Sequence, residues 1–296
     1  MKRIMILAAA IVVCTAAAAR KTVTITIMHT NDTHSCILPL NPNLADTAVA
    51  GRGGFLRRIE MLRQERLKDP DLLVFDSGDF SQGSPYYSLF KGEVEIELMN
   101  RMGVNASTIG NHEFDFGVEN MARLFDMAKF PVLCANYRFT GTPLEGKVER
   151  YRVFHVKGVR IGVFGIDPKL KGLVDDKKIG GVEYLDPIAT ANEMAQLLRT
   201  REGCDVVICL SHLGWLERGM SDQEVISHSR GIDLVLGGHS HTYFLKANNL
   251  TDTKRERYIK TVNESNLQYE GQKTDRTVVG TYHYGRTLLI GIRYSL

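Results

Sequence analysis

Leu72-Leu73-Val74-Phe75-Asp76-Ser77-Gly78-Asp79 changes character half-way along. Four apolar residues make a run of the length a buried strand takes, and Asp-Ser-Gly-Asp then stops it with turn-forming chemistry. The same event recurs along the chain. Residues 23–28 alternate as a strand should and run into His29-Thr30-Asn31-Asp32-Thr33-His34. A weaker strand at 106–109 leads to Gly110-Asn111-His112-Glu113-Phe114-Asp115. Residues 206–210 lead to Ser211-His212, and 232–236 to Gly237-Gly238-His239-Ser240-His241. Between these strands lie stretches with helical spacing: 52–66, where Phe55, Ile59 and Leu62 share a face, then 94–102, 118–128 and 188–198. Residues 132–135 read as another strand, 152–166 as a hairpin turning at Lys157-Gly158, and 278–294 as a final hairpin through Gly285. The polar, aliphatic-poor segment 246–276 reads as a surface excursion. No Pro/Ser-rich linker, low-complexity tract or fixed-period repeat divides the chain, so the pattern predicts a single α/β domain.

In α/β folds the carboxyl ends of the strands converge on one edge of the sheet, where ligands bind. The five turns are therefore expected to be neighbours in space. Taken singly, each residue has an ordinary explanation. An Asp or Asn after a strand commonly caps a helix or forms a turn, and Asp32 alone reads as a cap. A single His commonly lies at the surface or in a hydrogen-bonded core, as expected for His29, His155, His228 and His283. Taken together the reading changes, because the other five of the nine histidines all fall in these turns. Neighbouring loops that each supply nitrogen and oxygen donors are what a metal centre needs.

Composition narrows the alternatives. Of 296 residues 44% are apolar and 24% charged, too apolar for a disordered chain, and 27 Gly and 8 Pro without a period exclude a fibrous one. Thirty-seven basic against 34 acidic residues give a net charge of +3, too balanced for an electrostatic nucleic-acid binder. Residues 1–19 read as an export signal: Lys2 and Arg3, then an apolar run from Ile4 to Val13, then small residues from Ala16 to Ala19. A buried terminal strand or helix would not explain that order. The apolar stretch ends at Arg20 and Lys21, short of the ~20 residues of a membrane span, so no transmembrane anchor is expected. Lipid anchoring at Cys14 is disfavoured because Val13 before it is not small. The expected location is periplasmic or secreted. An oxidising compartment would permit disulfides among Cys36, Cys134, Cys204 and Cys209. Cys204 and Cys209 flank one strand with an odd offset that points them to opposite faces, so they are not expected to pair. No spacing suggests a zinc ribbon, and buried small hydrophobes are the better reading.

Asp32-x-His34, Gly78-Asp79, Gly110-Asn111-His112-Glu113, His212 and Gly238-His239-Ser240-His241 resemble the calcineurin-like metallophosphoesterases. Finer strings resemble the 5′-nucleotidase branch: His29-Thr30-Asn31-Asp32-Thr33-His34, Gly53-Gly54-Phe55, Asp76-Ser77-Gly78-Asp79 and Asn111-His112-Glu113-Phe114-Asp115-Phe116-Gly117. The resemblance runs from about Val23 onward and is weakest over 246–276. It implies a four-layer α/β/β/α sandwich over residues 20–296. It also implies two divalent ions, one held by Asp32, His34, Asp79 and His241, the other by Asp79, Asn111, His212 and His239. Asp79 would bridge them. Mixed nitrogen and oxygen donors suit Mn, Zn, Fe or Co better than Mg or Ca.

The chemistry follows from charge. Two divalent ions held by two aspartates leave a positive site that attracts a phosphate dianion and stabilises charge developing in the transition state. Phosphate monoester hydrolysis is among the slowest uncatalysed reactions, and its acceleration can approach ~10²¹-fold. An ion pair ~3.5–4 Å apart lowers the pKa of a bound water and clamps the in-line displacement. No Cys or Ser nucleophile is required, so direct attack by metal-bound hydroxide is predicted. In the family the histidine matching His112 faces the substrate, and Asp115, three residues on, would pair with it and favour its protonated form. Asp115 can equally cap the helix expected from about Val118, and the two roles are compatible. Glu113 is left open between a helix start and support of the ligands.

Larger members of the branch carry a C-terminal domain that stacks the nucleobase, and the present sequence is expected to hold the catalytic domain without it. The expected reaction is hydrolysis of phosphate monoesters, foremost 5′-nucleotides, either permissively or with a separate recognition protein supplying the missing half. A 2′,3′-cyclic nucleotide, a UDP-sugar or a thiosulfate ester would use the same metal residues. A subunit that kept the fold but lost activity is disfavoured by the complete donor set.

Overall fold

The computed structural model describes residues 22–45, 47, 50–215, 219–241, 243–247, 257–261 and 287–295. The expected export segment, 1–19, lies outside them. Twelve strands and seven α-helices are described, each numbered in chain order. The first sheet contains β1 (Thr22–Thr30), β2 (Leu73–Asp76), β3 (Ala106–Ser107) and β12 (Thr287–Ser295), in the order β12-β1-β2-β3. The second contains β5 (Tyr151–Val156), β6 (Val159–Ile166), β8 (Val206–Ser211), β9 (Leu234–Gly237), β10 (Tyr243–Ala247) and β11 (Arg257–Thr261), in the order β11-β10-β9-β8-β6-β5. A two-strand ribbon joins β4 (Tyr137–Arg138) to β7 (Glu183–Tyr184). β1, β2 and β3 run parallel, as do β6, β8 and β9, while the outer strands are antiparallel.

Period-two alternation stacks the sheets. Ile25, Ile27, Leu73 and Phe75 of the first sheet meet Ile161, Val163, Val206, Ile208, Leu210, Leu234 and Leu236 of the second in one buried layer. Their sequence neighbours point the other way: Met28 and Val74 under one set of helices, Val207, Cys209 and Val235 under another. A slip of one residue would turn every inward side chain outward, so the register is strongly set. Over the first sheet pack α1 (Phe55–Lys68), α3 (Glu93–Met102) and α4 (Gly117–Met127), through Leu62, Ile96, Met99, Met121 and Leu124. Over the second lie α6 (Pro187–Thr200) and α7 (Asp222–His228), through Ala191, Met194, Leu198, Val225 and Ile226. The result is the expected α/β/β/α sandwich.

Helix starts follow capping chemistry. Ser84 accepts from the N–H groups of Tyr86 and Tyr87 and precedes Pro85 at the start of α2 (Pro85–Phe90). Asp186 and Pro187 open α6 in the same way, and Asp175 caps the short α5 (Asp176–Ile179). The turn at Lys157-Gly158 has both residues at positive φ, 52° and 84°, which suits a two-residue hairpin.

Three sequence expectations need correction. Residues 132–135 form isolated bridges rather than a strand, because successive N–H groups go to different partners. Leu133 donates to Ser107, Cys134 to Glu149 and Ala135 to Gly165, which stitches one sheet to the other. Within 246–276, residues up to Ala247 and 257–261 belong to β10 and β11. A polar hairpin can extend a sheet edge by backbone hydrogen bonds alone. The hairpin expected over 278–294 is described only from Thr287 on: β12 pairs along its whole length with β1, from Thr22↔Ser295 to Thr30↔Thr287, while residues 262–286, including Gly285, lie outside the described residues. Cys204 precedes β8, so strand parity does not govern it, and it joins Cys209 in the same outer layer. Cys36, Cys134, Cys204 and Cys209 are all free.

Candidate metal centre

The pairing of β1 with β2 continues past the strand ends. Ser77 N–H donates to Thr30 O, Asp32 N–H to Gly78 O and His34 N–H to Asp79 O, at 2.9, 3.0 and 3.0 Å. Across the sandwich, Gly238 N–H donates to Ser211 O at 2.8 Å. The loops are thus locked to one another. Their backbone is also strained: Asp32, His34, Asp79, His239 and His241 have φ of 47°, 41°, 54°, 67° and 53°. Left-handed backbone costs an ordinary residue about 1–2 kcal/mol, and such strain concentrates where side-chain direction matters. Glycine permits the closest approach. A Cβ on Gly110 would lie 2.1 Å from Asp79 Oδ1, and one on Gly78 would lie 2.5 Å from Gly110 N.

These loops bring the expected donors together. Ligand atoms of Asp32, His34 and His241 lie within 4.8 Å of one another, as do those of Asp79, His212 and His239. His34, Asp79 and His112 form a third, overlapping group. His34 Nε2 and His241 Nε2 are 2.9 Å apart, and each ring faces Asp32 or Asp79. Asp32 Oδ1 accepts the His239 N–H at 2.9 Å. His212 Nε2 approaches Asp79 Oδ2 at 3.1 Å without completing a hydrogen bond. Asn111 Oδ1 is buried and has no hydrogen-bond partner among the described residues. An orphaned imidazole nitrogen beside two carboxylates, and an orphaned buried carbonyl on the loop after β3, fit a divalent cation with mixed donors.

Electrostatics agree. Burial opposes the charge on Asp79, but His212 outweighs it and holds the carboxyl well below its usual range. Burial likewise disfavours a charged His212, and Asp79 overrides that to raise the imidazole well above its ordinary value. A proton and a metal ion would compete for the same nitrogen lone pair. His34 is lowered, chiefly by burial.

His112 sits at the rim, about one-third exposed, with its Nδ1 3.1 Å from Asp115 Oδ2. That hydrogen bond is the main reason its pKa is raised. Asp115 belongs to a 3-10 turn, His112–Phe116, ahead of α4, and no side chain makes a capping hydrogen bond there. Its helix-cap reading is therefore not realised. Glu113 has a role that sequence left open. Its buried carboxylate accepts the N–H groups of Asp79, Gly110 and Ser81, at 2.9, 2.6 and 3.1 Å, and so joins the β2 and β3 loops. Burial, then the Asp79 charge, push its pKa up to about 7.

Residues 25–243 match the calcineurin-like phosphoesterases. The chain belongs to this family. Its members depend on two metal ions, in keeping with the donor groups above. Among relatives, the NAD 5′-nucleotidase of Haemophilus influenzae is 32% identical over 266 residues, covering 88% of this chain and 42% of that protein. The human 5′-nucleotidase is 31% identical over 230 residues, covering 76% and 39%. The crystal structure of a 5′-nucleotidase precursor from Thermus thermophilus superposes with a TM-score of 0.65 at 30% identity, covering 74% and 42%. The phosphoesterase chain thus spans about two fifths of the length of the curated relatives it matches.

Proposed function

We propose that this chain is the catalytic part of an exported, dinuclear metal-dependent phosphoesterase that hydrolyses phosphate monoesters, foremost 5′-nucleotides. The observation that carries the proposal is the convergence of the strand-end donors Asp32, His34, Asp79, His212, His239 and His241, with His212 Nε2 and the buried Asn111 Oδ1 lacking hydrogen-bond partners among the described residues. In this reading Asp32, His34, Asp79 and His241 hold one ion, and Asp79, Asn111, His212 and His239 the other. When bound, the ions supply an activated water and a positive clamp for the phosphoryl oxygens. The protein's own residues do the rest. Glu113 fixes the backbone that aims Asp79. Asp115 accepts from His112 Nδ1 and leaves the opposite ring nitrogen free for substrate. Because the His112 pKa is raised, its cationic form persists to higher pH, suited to neutralising a phosphoryl oxygen or protonating the leaving group.

The test is phosphate release from AMP and from a simple aryl phosphate with Mn²⁺, beside 2′,3′-cyclic nucleotides, UDP-sugars and a thiosulfate ester. AMP as the best substrate supports the reading. No turnover of any ester by protein shown to hold two ions would sink it. The same panel with co-purifying proteins present tests whether a separate chain supplies nucleotide recognition. Export rests on residues 1–19, and a secreted product beginning near Arg20 by mass spectrometry is expected. Among the described residues no helix is long and apolar enough to cross a membrane.

A further inference from the structure

His29 stands apart from the donor groups. It shares strand parity with Val23, Ile25 and Ile27, and so points into the layer between the sheets, where it is 1% exposed. A lone polar ring in that layer must satisfy its N–H. Its Nε2 lies 2.9 Å from Ser77 Oγ, and Ser77 Oγ lies 2.8 Å from Leu236 O on the opposite sheet. The direction of each bond follows from counting protons. A carbonyl only accepts, so the single hydroxyl proton of Ser77 goes to Leu236, and Ser77 Oγ must accept from His29. The proton of His29 therefore sits on Nε2. Burial lowers its pKa to about 3, which keeps the ring neutral with that one N–H.

Ser77 is held at three points. Its N–H donates to Thr30 O, its hydroxyl bridges the sheets, and its carbonyl accepts from His212 Nδ1 at 2.6 Å. Because that carbonyl can only accept, the Nδ1 of His212 carries a proton, and Nε2 is the atom turned toward Asp79. Gly238 leaves room for the contact: a Cβ there would lie 2.8 Å from Ser77 O and 2.9 Å from His212 Nδ1.

We infer that His29 is a positioning residue for His212: by fixing Ser77 across the two sheets, it aims the Ser77 carbonyl that orients the His212 ring and presents His212 Nε2 to the second metal ion. This rests on His212 being a metal ligand, as proposed above. Groups that orient ligating histidines typically matter by about 10–100-fold in metal affinity.

Three variants test it. His29→Leu removes the donor and suits an apolar layer, His29→Gln keeps an N–H donor, and Ser77→Ala removes the bridge while keeping the carbonyl. In metal-free protein, ¹⁵N-edited NMR is expected to show slowly exchanging ring N–H protons of His29 and His212 in wild type. The His212 signal is expected to be lost to exchange in His29→Leu and in Ser77→Ala, and regained in His29→Gln. Calorimetric titration with Mn²⁺ is expected to show one of the two sites weakened about 10–100-fold in the first two variants, with the Gln variant restoring it. Folded His29→Leu protein that keeps the His212 signal and wild-type Mn²⁺ affinity would overturn the inference. Should His29→Leu not fold, Ser77→Ala carries the same two readouts. Wild-type protein showing both ring protons but binding no Mn²⁺ would overturn the metal reading itself, and this inference with it.

Discussion

In the proposed site His112 and Asp115 would divide one task between two side chains, and the division is measurable. Both side chains are about one-third exposed, and Asp115 Oδ2 lies 3.1 Å from His112 Nδ1. His112→Ala is expected to lower kcat by about 10²–10⁴-fold, the usual worth of a placed acid or charge. Asp115→Asn should cost less, about 10–100-fold. It should also move the acidic-form limb of the pH–rate profile to lower pH, because the hydrogen bond that raises His112 is weakened. Unchanged kcat in His112→Ala would remove it from the catalytic set. These two candidate residues were legible in the motif, as were the proposed metal donors, because side-chain identity carries their chemistry. Glu113, Ser77 and His29 were not. Glu113 and Ser77 act through backbone groups distant along the chain, and His29 through the Ser77 hydroxyl, which no spacing along the chain encodes.

Among the elements, the loops after β2 and β3 approach one another closely. The missing Cβ of Gly110 makes room for the Asp79 carboxylate, and Glu113 closes the gap by accepting from both loops. Gly110→Ala is therefore expected to displace Asp79 at a cost of about 1–3 kcal/mol, the range for overpacking, and to weaken binding of both ions. Thermal melting with and without Mn²⁺ checks this. A variant with wild-type melting and metal stoichiometry would show that the loops can spread. Strands and long helices were readable because alternation and 3.6-residue spacing are local. Residues 132–135 look like a strand by composition, yet bridge two sheets, since apolar content reports burial rather than which backbone partners are within reach. The polar stretch containing β10 and β11 misled in the opposite sense.

Over the whole molecule, the sandwich buries acids as well as apolar surface. Asp167 is fully buried, with one oxygen accepting from Thr108 and the other without a partner among the described residues. Burial raises its pKa to about 7. A carboxyl raised above its unfolded value, near 3.9, stabilises the fold while protonated, and that contribution is lost as pH rises through about 7. Wild-type protein is thus expected to lose melting temperature between about pH 4 and pH 7, and Asp167→Asn to lose less over that window, by scanning calorimetry. Parallel curves would exclude Asp167 as a cause. The sequence by itself determined the alternating elements, the family and the candidate donor residues, because apolar periodicity and side-chain chemistry are written locally. Tertiary structure alone decided that β12 pairs with β1, that Glu113 binds three backbone N–H groups, and that His29 reaches His212 through Ser77. Each of these depends on which backbone groups remain unpaired once two sheets have packed, and that is settled only in three dimensions.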